Sequence, residues 1–559
     1  MEKQNETEGK SSKLPACAAE FIRLVVKKMR YRRNVQDDVQ AELAAHFEDE
    51  LNSVKTDTER EQKAKRLVNG FGDAKMLAVL LRRAKKRCRP LWRTVVARTF
   101  QTIGVLFVCL VLYLVWFMTG KPVVATNYIA ELNNMVRPVA DESLNAAPLY
   151  NKVSKVFEEL PDDIAGLLRK KYYEATEEEK LVLEKWLTEN EEHFRLVIAG
   201  SQKPYYWQHY EGDEMLSVLM PYLAGFRRIA FSFRWRSRLL AEKGLYEEAF
   251  SDIKTCYRLG RHIKGNVVVL IEQLVGIAIE AVAVQNLRGI LSEHKIDSAT
   301  LTILQRDLEQ IIVGEEFAMS FAGEKLFIYD EIQRCFTEDR FGGGHLYLSR
   351  MSQIRSDGDE SVPSLQDFIF GTIFEPEAWP VVLKVLFYHP NKQQTREAAD
   401  RFYAYCDAFA QKTPAQIRAQ GIDMQKETMN IVGDNVLLDI LTPALGRAAR
   451  IGHRHRTNVE ATIAILALHR YKADKNSFPD DLQQLITAGY LRQLPVDVYS
   501  DKPLVYRKTA DSFILYSVGQ NFMDDGGQVA AIDGKPRKWG TKDEGDWVFW
   551  PVPQSRVNQ

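Results

Sequence analysis

The chain reads as a mainly α-helical protein with a small α+β unit at its C-terminal end. Three observations point there. Apolar residues recur at helical spacing through most of the 559 residues. One run, Thr99 to Thr119, spans about 21 residues without a formal charge, and Gln101 is its strongly polar member. Strand-like alternation with turn residues is confined to roughly the last hundred positions. A chain this long exceeds one core and is expected to divide into about three or four domains. Apolar residues make up 45% and charged ones 27%, which are globular proportions. Lysine plus arginine equals aspartate plus glutamate at 75 each, so overall charge argues against a nucleic-acid binder.

Residues 1–17 are polar and expected to be disordered. From 18 to 92 the chain predicts three or four short amphipathic helices. In the second of them Val35, Val39, Leu43, Phe47 and Leu51 recur every fourth residue and form one apolar face. Asn69-Gly70 and Phe71-Gly72-Asp73 mark a stop and a restart, with Asp73 as N-cap. Glu42, Leu43 and His46, followed by Phe71, Gly72 and Asp73, resemble the motifs of the helical cytoplasmic domain known as HAAS, or permease prefix. That domain precedes membrane spans in many bacterial proteins. The resemblance implies a signalling or interaction module; His46 is expected to be structural.

The apolar run at 97–119 is long enough, at ~1.5 Å per residue, to cross the ~30 Å core of a bilayer. Tyr113 and Trp116 suit an interface belt near one end. Before it come Arg82, Arg83, Lys85, Lys86, Arg87, Arg89, Arg93 and Arg98; after it the first basic residues are Lys121 and Arg137. This asymmetry predicts a cytoplasmic N-terminus and places the chain beyond 121 across the membrane. The run starts almost 100 residues in, so it is expected to stay as an uncleaved anchor rather than act as a signal peptide. With the resemblance above, this predicts a bacterial inner-membrane, single-pass protein with most of its chain in the periplasm. Of six cysteines, Cys256, Cys335 and Cys406 fall outside, an odd number without CxxC spacing, so no disulfide framework or zinc site is signalled.

Residues 121–455 are expected to form a periplasmic helical domain. Thr176 with Glu179 gives a capping box. A long helix, a turn at Gly244 and a second helix follow, and the spacing of Ala241, Gly244, Tyr246 and Ala249 resembles the turn of a tetratricopeptide unit, without a second copy at a ~34-residue period. The segment around 267–291 is nearly as apolar as a span, yet it carries Glu272, Gln273, Glu280, Gln285 and Arg288; it is expected to be a soluble core helix, with a second span as the lesser alternative. Between Phe336 and Gln366 a Gly-rich insertion, with Gly342 to Gly344, is expected to be a surface loop. Ser251 and Lys254 form an S-x-x-K without the companion motifs of penicillin-binding enzymes. His453 and His455 form an H-x-H flanked by Arg454 and Arg456, whose charges disfavour a metal. HExxH, GxSxG, Walker A and dinucleotide fingerprints are missing.

Residues 456–559 change texture: a helix ending near Lys475, a shorter helix begun by Pro479 and stopped by Gly489, then a hairpin of 503–507 with 513–518. A last strand is expected at "DWVFWP". The order of an alanine-rich helix ending in Tyr471, "FPDDLQQL", "LPVDVYSDKPLVYR", "FILYSVGQNFMDDGG" and "DEGDWVF" resembles the globular head of the type II secretion major pseudopilin. The chain departs from it at Asp497-Val498, where that family has Asp-Pro, and lacks a pilin N-terminus. In that family the loop after the strand binds calcium. The resemblance therefore implies a Ca2+ site here, with Asp524, Asp525, Asp543 and Asp546 as candidate ligands; the rival reading is a solvated Asp-Asp-Gly-Gly turn.

Taken together, the residues favour a non-enzymatic membrane protein with an interaction or scaffold role, its partners being envelope or secretion proteins. The alternatives are a transmembrane signalling protein that senses an envelope ligand or calcium, and an envelope hydrolase without a linear motif. The oligomeric state is not encoded in any pattern.

Overall fold

The computed structural model describes residues 14–87, 91–138, 140–218, 220–265, 269–339, 343–347, 350, 384–442, 445–529, 531–532, 535–536 and 545–552. The polar tail up to 13, Cys88, most of the insertion from 336 to 366, and Asp543 lie outside them. The chain is 68% helix and 4% strand, with its sheet near the C-terminal end, so the mainly α reading holds. It divides into two compact units at Trp116/Phe117.

The first unit holds α1 (Ala16–Met29), α2 (Arg33–Leu51), α3 (Asp57–Phe71), α4 (Ala74–Arg87) and α5 (Leu91–Phe117). Val39, Leu43, Phe47 and Leu51 of α2 are buried, as their spacing requires. Phe71 packs on Phe47 at 5.4 Å and on Phe21 at 6.1 Å. Asp73 accepts from the Lys75 N–H and starts α4. His46 is exposed, its ring edge-on to Phe71 at 5.6 Å. α5 is different: its stretch Val95–Phe117 is long and apolar enough to cross a membrane, with only 6% of its most apolar window buried.

The second unit is built from α6 (Tyr128–Val136), α7 (Ala147–Glu158), α8 (Asp162–Arg169), α9 (Glu177–Glu189), α10 (Glu191–Ser201), α11 (Tyr222–Glu242), α12 (Tyr246–Gly265), α13 (Leu270–Glu293), α14 (Ser298–Ile312), α15 (Ala322–Cys335), α16 (Lys392–Ala410), α17 (Pro414–Ala419), α18 (Met424–Val432), α19 (Val436–Leu441), α20 (Leu445–Lys475) and α21 (Gln483–Thr487). Thr176 and Glu179 exchange both bonds of a capping box at the start of α9. Gly244, at φ +76°, closes α11, and Leu245 N–H reaches back to Leu240 C=O at 3.0 Å, which folds α12 against α11.

α13 is the centre of this unit. It passes the same length-and-hydropathy test as α5, but 72% of its window is buried. α12 approaches it closely because Gly260 faces Gly276: a Cβ on Gly276 would lie 2.6 Å from the Gly260 carbonyl oxygen. α13 also packs on α11 and on the 31-residue α20.

The C-terminal sheet has the order β3-β4-β7, all antiparallel: β3 (Val505–Lys508), β4 (Phe513–Ser517) and β7 (Trp547–Trp550); β1 (Val496–Asp497) pairs with β2 (Lys502–Pro503), and β5 (Ala531–Ile532) with β6 (Lys535–Pro536). Val505 faces Tyr516 and Lys508 faces Phe513, so the expected hairpin forms in register. Phe513 and Leu515 belong to the same core as Ile465 and Leu466 of α20. The boundary expected at 455/456 falls inside α20, which runs through it unbroken. The sheet therefore shares one hydrophobic core with helices as distant as α7.

Candidate functional site

Charged residues on an apolar core helix must be paired or they cost several kcal/mol. Each one buried on α13 is hydrogen-bonded, and Glu280 has a charged partner as well; these contacts show where the chain concentrates its polar chemistry. Near the N-terminal end Glu272, 1% exposed, accepts hydroxyl bonds from Tyr210 (2.5 Å) and Tyr222 (2.7 Å). Near the other end Arg288 donates to Asn458 (2.8 Å) and Thr462 (2.7 Å) of α20. Between them lies Glu280, fully buried.

Glu280 Oε2 is 2.5 Å from His455 Nε2 on α20 and 2.9 Å from Lys264 Nζ on α12. Lys264 also binds Glu315, which follows α14 and takes the Tyr257 hydroxyl at 2.9 Å. Four elements thus supply one buried group of two carboxylates, an ammonium, an imidazole and a phenol. Burial works against every charge in it. It would lower Lys264, but Glu280 and Glu315 hold that ammonium above its usual value. Burial would raise Glu280, but Lys264 and His455 bring it below the usual range. Glu315 is raised, by burial first and then by the neighbouring Glu280 charge. Glu280 Oε1 and His455 Nδ1 are buried without a hydrogen-bond partner among the described residues.

Glu280, Glu315 and His455 also place ligand-type atoms within 4.8 Å of one another, the one such trio among the described residues. A divalent ion there would compete with Lys264, which already bridges both carboxylates. The arrangement therefore reads as an internally paired ion cluster.

Glu315 also lines a cleft of about 740 Å³ formed by the 312–318 loop, α20 and the 491–495 segment. Its apolar wall includes Ile312, Val459, Ile463 and Leu494. Glu309, Glu316 and Glu460 stand around it, with Arg456 and Arg492. Arg456 is held by Glu460 at 2.8 Å, which in turn accepts the Val496 N–H. His455 lines a second, mostly apolar cavity of about 440 Å³ with Ile277, Ala281 and Trp547. The ion cluster is thus the wall between two cavities.

The expected calcium loop is partly assembled. Asp524 accepts the Tyr516 hydroxyl (2.7 Å) and the Gly526 N–H (2.9 Å), and Arg507 lies 3.5 Å away. Asp525 accepts from the Asn521 amide at 2.6 Å. Asp546, 4% exposed, clamps the loop by taking the N–H groups of Asp525 (3.2 Å) and Gly527 (2.6 Å). The Tyr516 hydroxyl holds Asp524 below its usual range, while burial raises Asp546. Loop closure is accounted for by these donors, and a cation would have to share oxygens with them. Asp543 lies outside the described residues. Asp497, at the departure from the pseudopilin pattern, is fully buried and binds Ser517 Oγ (2.7 Å) and Val518 N–H (3.1 Å), which pins β4 to β1.

The other sequence candidates take structural roles. Lys254 of the S-x-x-K pairs with Asp307 at 2.8 Å. The two histidines of the H-x-H diverge: His453 Nε2 meets the Ala410 carbonyl at 2.8 Å, while His455 joins Glu280. Cys256, Cys335 and Cys406 are buried and free.

The pairing of Glu272 has a consequence in solution. Burial pushes its carboxyl from 4.5 up to about 7 against the two tyrosine hydroxyls. Between those values the folded chain holds a proton that the unfolded chain has lost, so this group's contribution falls as pH rises through the window. At ~1.4 kcal/mol per pH unit the loss reaches up to about 3 kcal/mol. Glu272→Gln keeps the neutral form at every pH. Its urea midpoint relative to wild type should improve between about pH 5 and pH 8; a constant difference would show that Glu272 is ionised throughout. The meaning of the cleft and cluster has to be read from their own chemistry, because no known protein family, curated protein or solved structure matches this chain.

Proposed function

We propose that this is a single-pass membrane protein that works by binding other proteins, with α5 as its anchor and the second unit as its binding domain. The observation that carries the reading is the contrast between two helices of similar apolarity. α13 hides its surface in a core, whereas α5 leaves Phe100, Leu106, Phe107 and Leu112 each more than 60% exposed. A helix with so much apolar surface is stable in a bilayer, not in water. The basic flank before α5 supports a cytoplasmic side for α1–α4, and the resemblances at both ends of the chain fit a bacterial inner membrane with envelope or secretion partners. The cleft beside Glu315 is the binding feature, and the ion cluster behind it supports a rigid wall rather than a reacting group. The test is carbonate extraction of membranes with protease added to spheroplasts. The chain should stay with the membrane, a C-terminal tag should be digested, and an N-terminal tag should survive. Release by carbonate, or digestion of the N-terminal tag, would overturn the reading.

A four-helix unit with its own core is more than an anchor needs. It favours a second reading, transmembrane signalling, in which binding outside is passed to α1–α4. Calcium at Asp524, Asp525 and Asp546 belongs to the same proposal as a stabilising ligand. Binding to the folded chain should raise its Tm in calcium over chelator, and the rise should vanish in Asp525→Ala with Asp546→Ala. An equal Tm in both buffers removes the ion.

A further inference from the structure

We infer that the cleft between the 312–318 loop and α20 takes a short extended peptide that combines apolar residues with one basic group. The inference rests on reading the second unit as a binding domain, and it names what that domain binds.

The charges around the cleft do not cancel where a ligand would meet them. Arg456 is spent on Glu460 at 2.8 Å, and Glu315 is matched by Lys264 behind it. Arg492 reaches Glu309 only at 4.0 Å, and its side chain is 87% exposed, so it adds little. Glu316 is left over: it is exposed at the cleft and makes no side-chain hydrogen bond or ion pair among the described residues. A cationic group is the complement to that carboxylate.

A second observation is independent of charge. His453 lines the cleft and is 6% exposed, and its Nδ1 has no partner. Burial lowers its pKa, so the ring is neutral, and with Nε2 donating to the Ala410 carbonyl its Nδ1 is a bare acceptor. A buried acceptor without a donor is costly, but this atom is closed to solvent, so the polar contacts offered to a ligand come from the neighbouring amides. Gln411 and Gln493 bring exposed amides that pair equally with the N–H and C=O of a backbone. The apolar wall of Ile312, Val459, Ile463 and Leu494 takes the neighbouring side chains. The volume, about 740 Å³, lies within the range of sites for compact ligands and suits a segment of a few residues rather than a globular face.

The test uses the full chain in detergent micelles and two fluorescein-labelled peptides, LVKVL and LVEVL, read by fluorescence anisotropy. The lysine peptide should bind about tenfold or more tightly than the glutamate peptide. Glu316→Lys should reverse that preference, while Glu248→Lys, an equal charge change on the exposed face of α12, should leave it intact. Both sites are exposed, so folding is not at stake. Absence of saturable binding of either peptide, equal affinity for both, or the same effect from the two substitutions would overturn the inference. Membrane anchoring is read separately by carbonate extraction, so one result does not decide the other.

Discussion

Replacing Lys264 with methionine should destabilise the second unit by about 3–5 kcal/mol, because two carboxylates would remain buried without their shared cation. The volume is nearly conserved, so the loss reports charge rather than packing. Its size follows from the geometry: Glu280 is fully buried, Glu315 has a side chain 2% exposed, and Lys264 touches both. The double replacement Lys264→Met with Glu280→Gln should recover part of the loss, since one uncompensated charge is removed with its partner. Urea unfolding of the full chain in detergent, followed by tryptophan fluorescence, measures both. A single substitution costing less than about 1 kcal/mol would mean that the cluster is open to water and not the closed wall described above.

The second large effect concerns α5. Val108→Arg with Leu112→Arg places two charges near the middle of the exposed apolar stretch. Each costs about 2.5–3.5 kcal/mol at the centre of a membrane helix, so together they approach 5–7 kcal/mol. The doubly substituted chain should lose carbonate-resistant membrane association. The same two arginines replacing exposed positions of α9, at Leu181 and Val182, should change neither membrane association nor yield beyond the small effects usual at a surface. Full retention of the α5 variant in carbonate-washed membranes would show that α5 does not cross.

Local features were legible in the sequence because their causes are local. The four-residue spacing of Val39, Leu43, Phe47 and Leu51, the Thr176–Glu179 box and the 503–518 hairpin each depend on neighbours within one element. Phe71-Gly72-Asp73 could be read for the same reason: an aromatic to pack, a glycine at φ +69° and a cap. The ion cluster was not legible, since Lys264, Glu280, Glu315 and His455 are brought together only by the packing of α12, α13 and α20. One signal for it was present, the carboxylates on an otherwise apolar helix at 270–293, which argued against a span but did not name their partners. The boundary expected at 455/456 is the reverse case, a compositional signal that one helix runs across. The change in composition there is real, but α20 begins at Leu445 and carries its helical pattern straight across.

The late position of α20 also bears on how the chain is made. α13 is completed at Glu293, whereas its covering helix begins about 150 residues later. At ~5–20 residues per second that gap lasts roughly 8 to 30 s. If α5 enters the membrane as proposed, a nascent segment as apolar as α13 is presented during this interval to the same insertion machinery. Glu280, near the middle of the helix, adds a penalty to lateral entry into lipid of the order of 2–3 kcal/mol, and Glu272 and Arg288, nearer its ends, add smaller ones. On that proposed reading, the residues that later knit the core together act first as a mark of destination, separating two helices of similar apolarity.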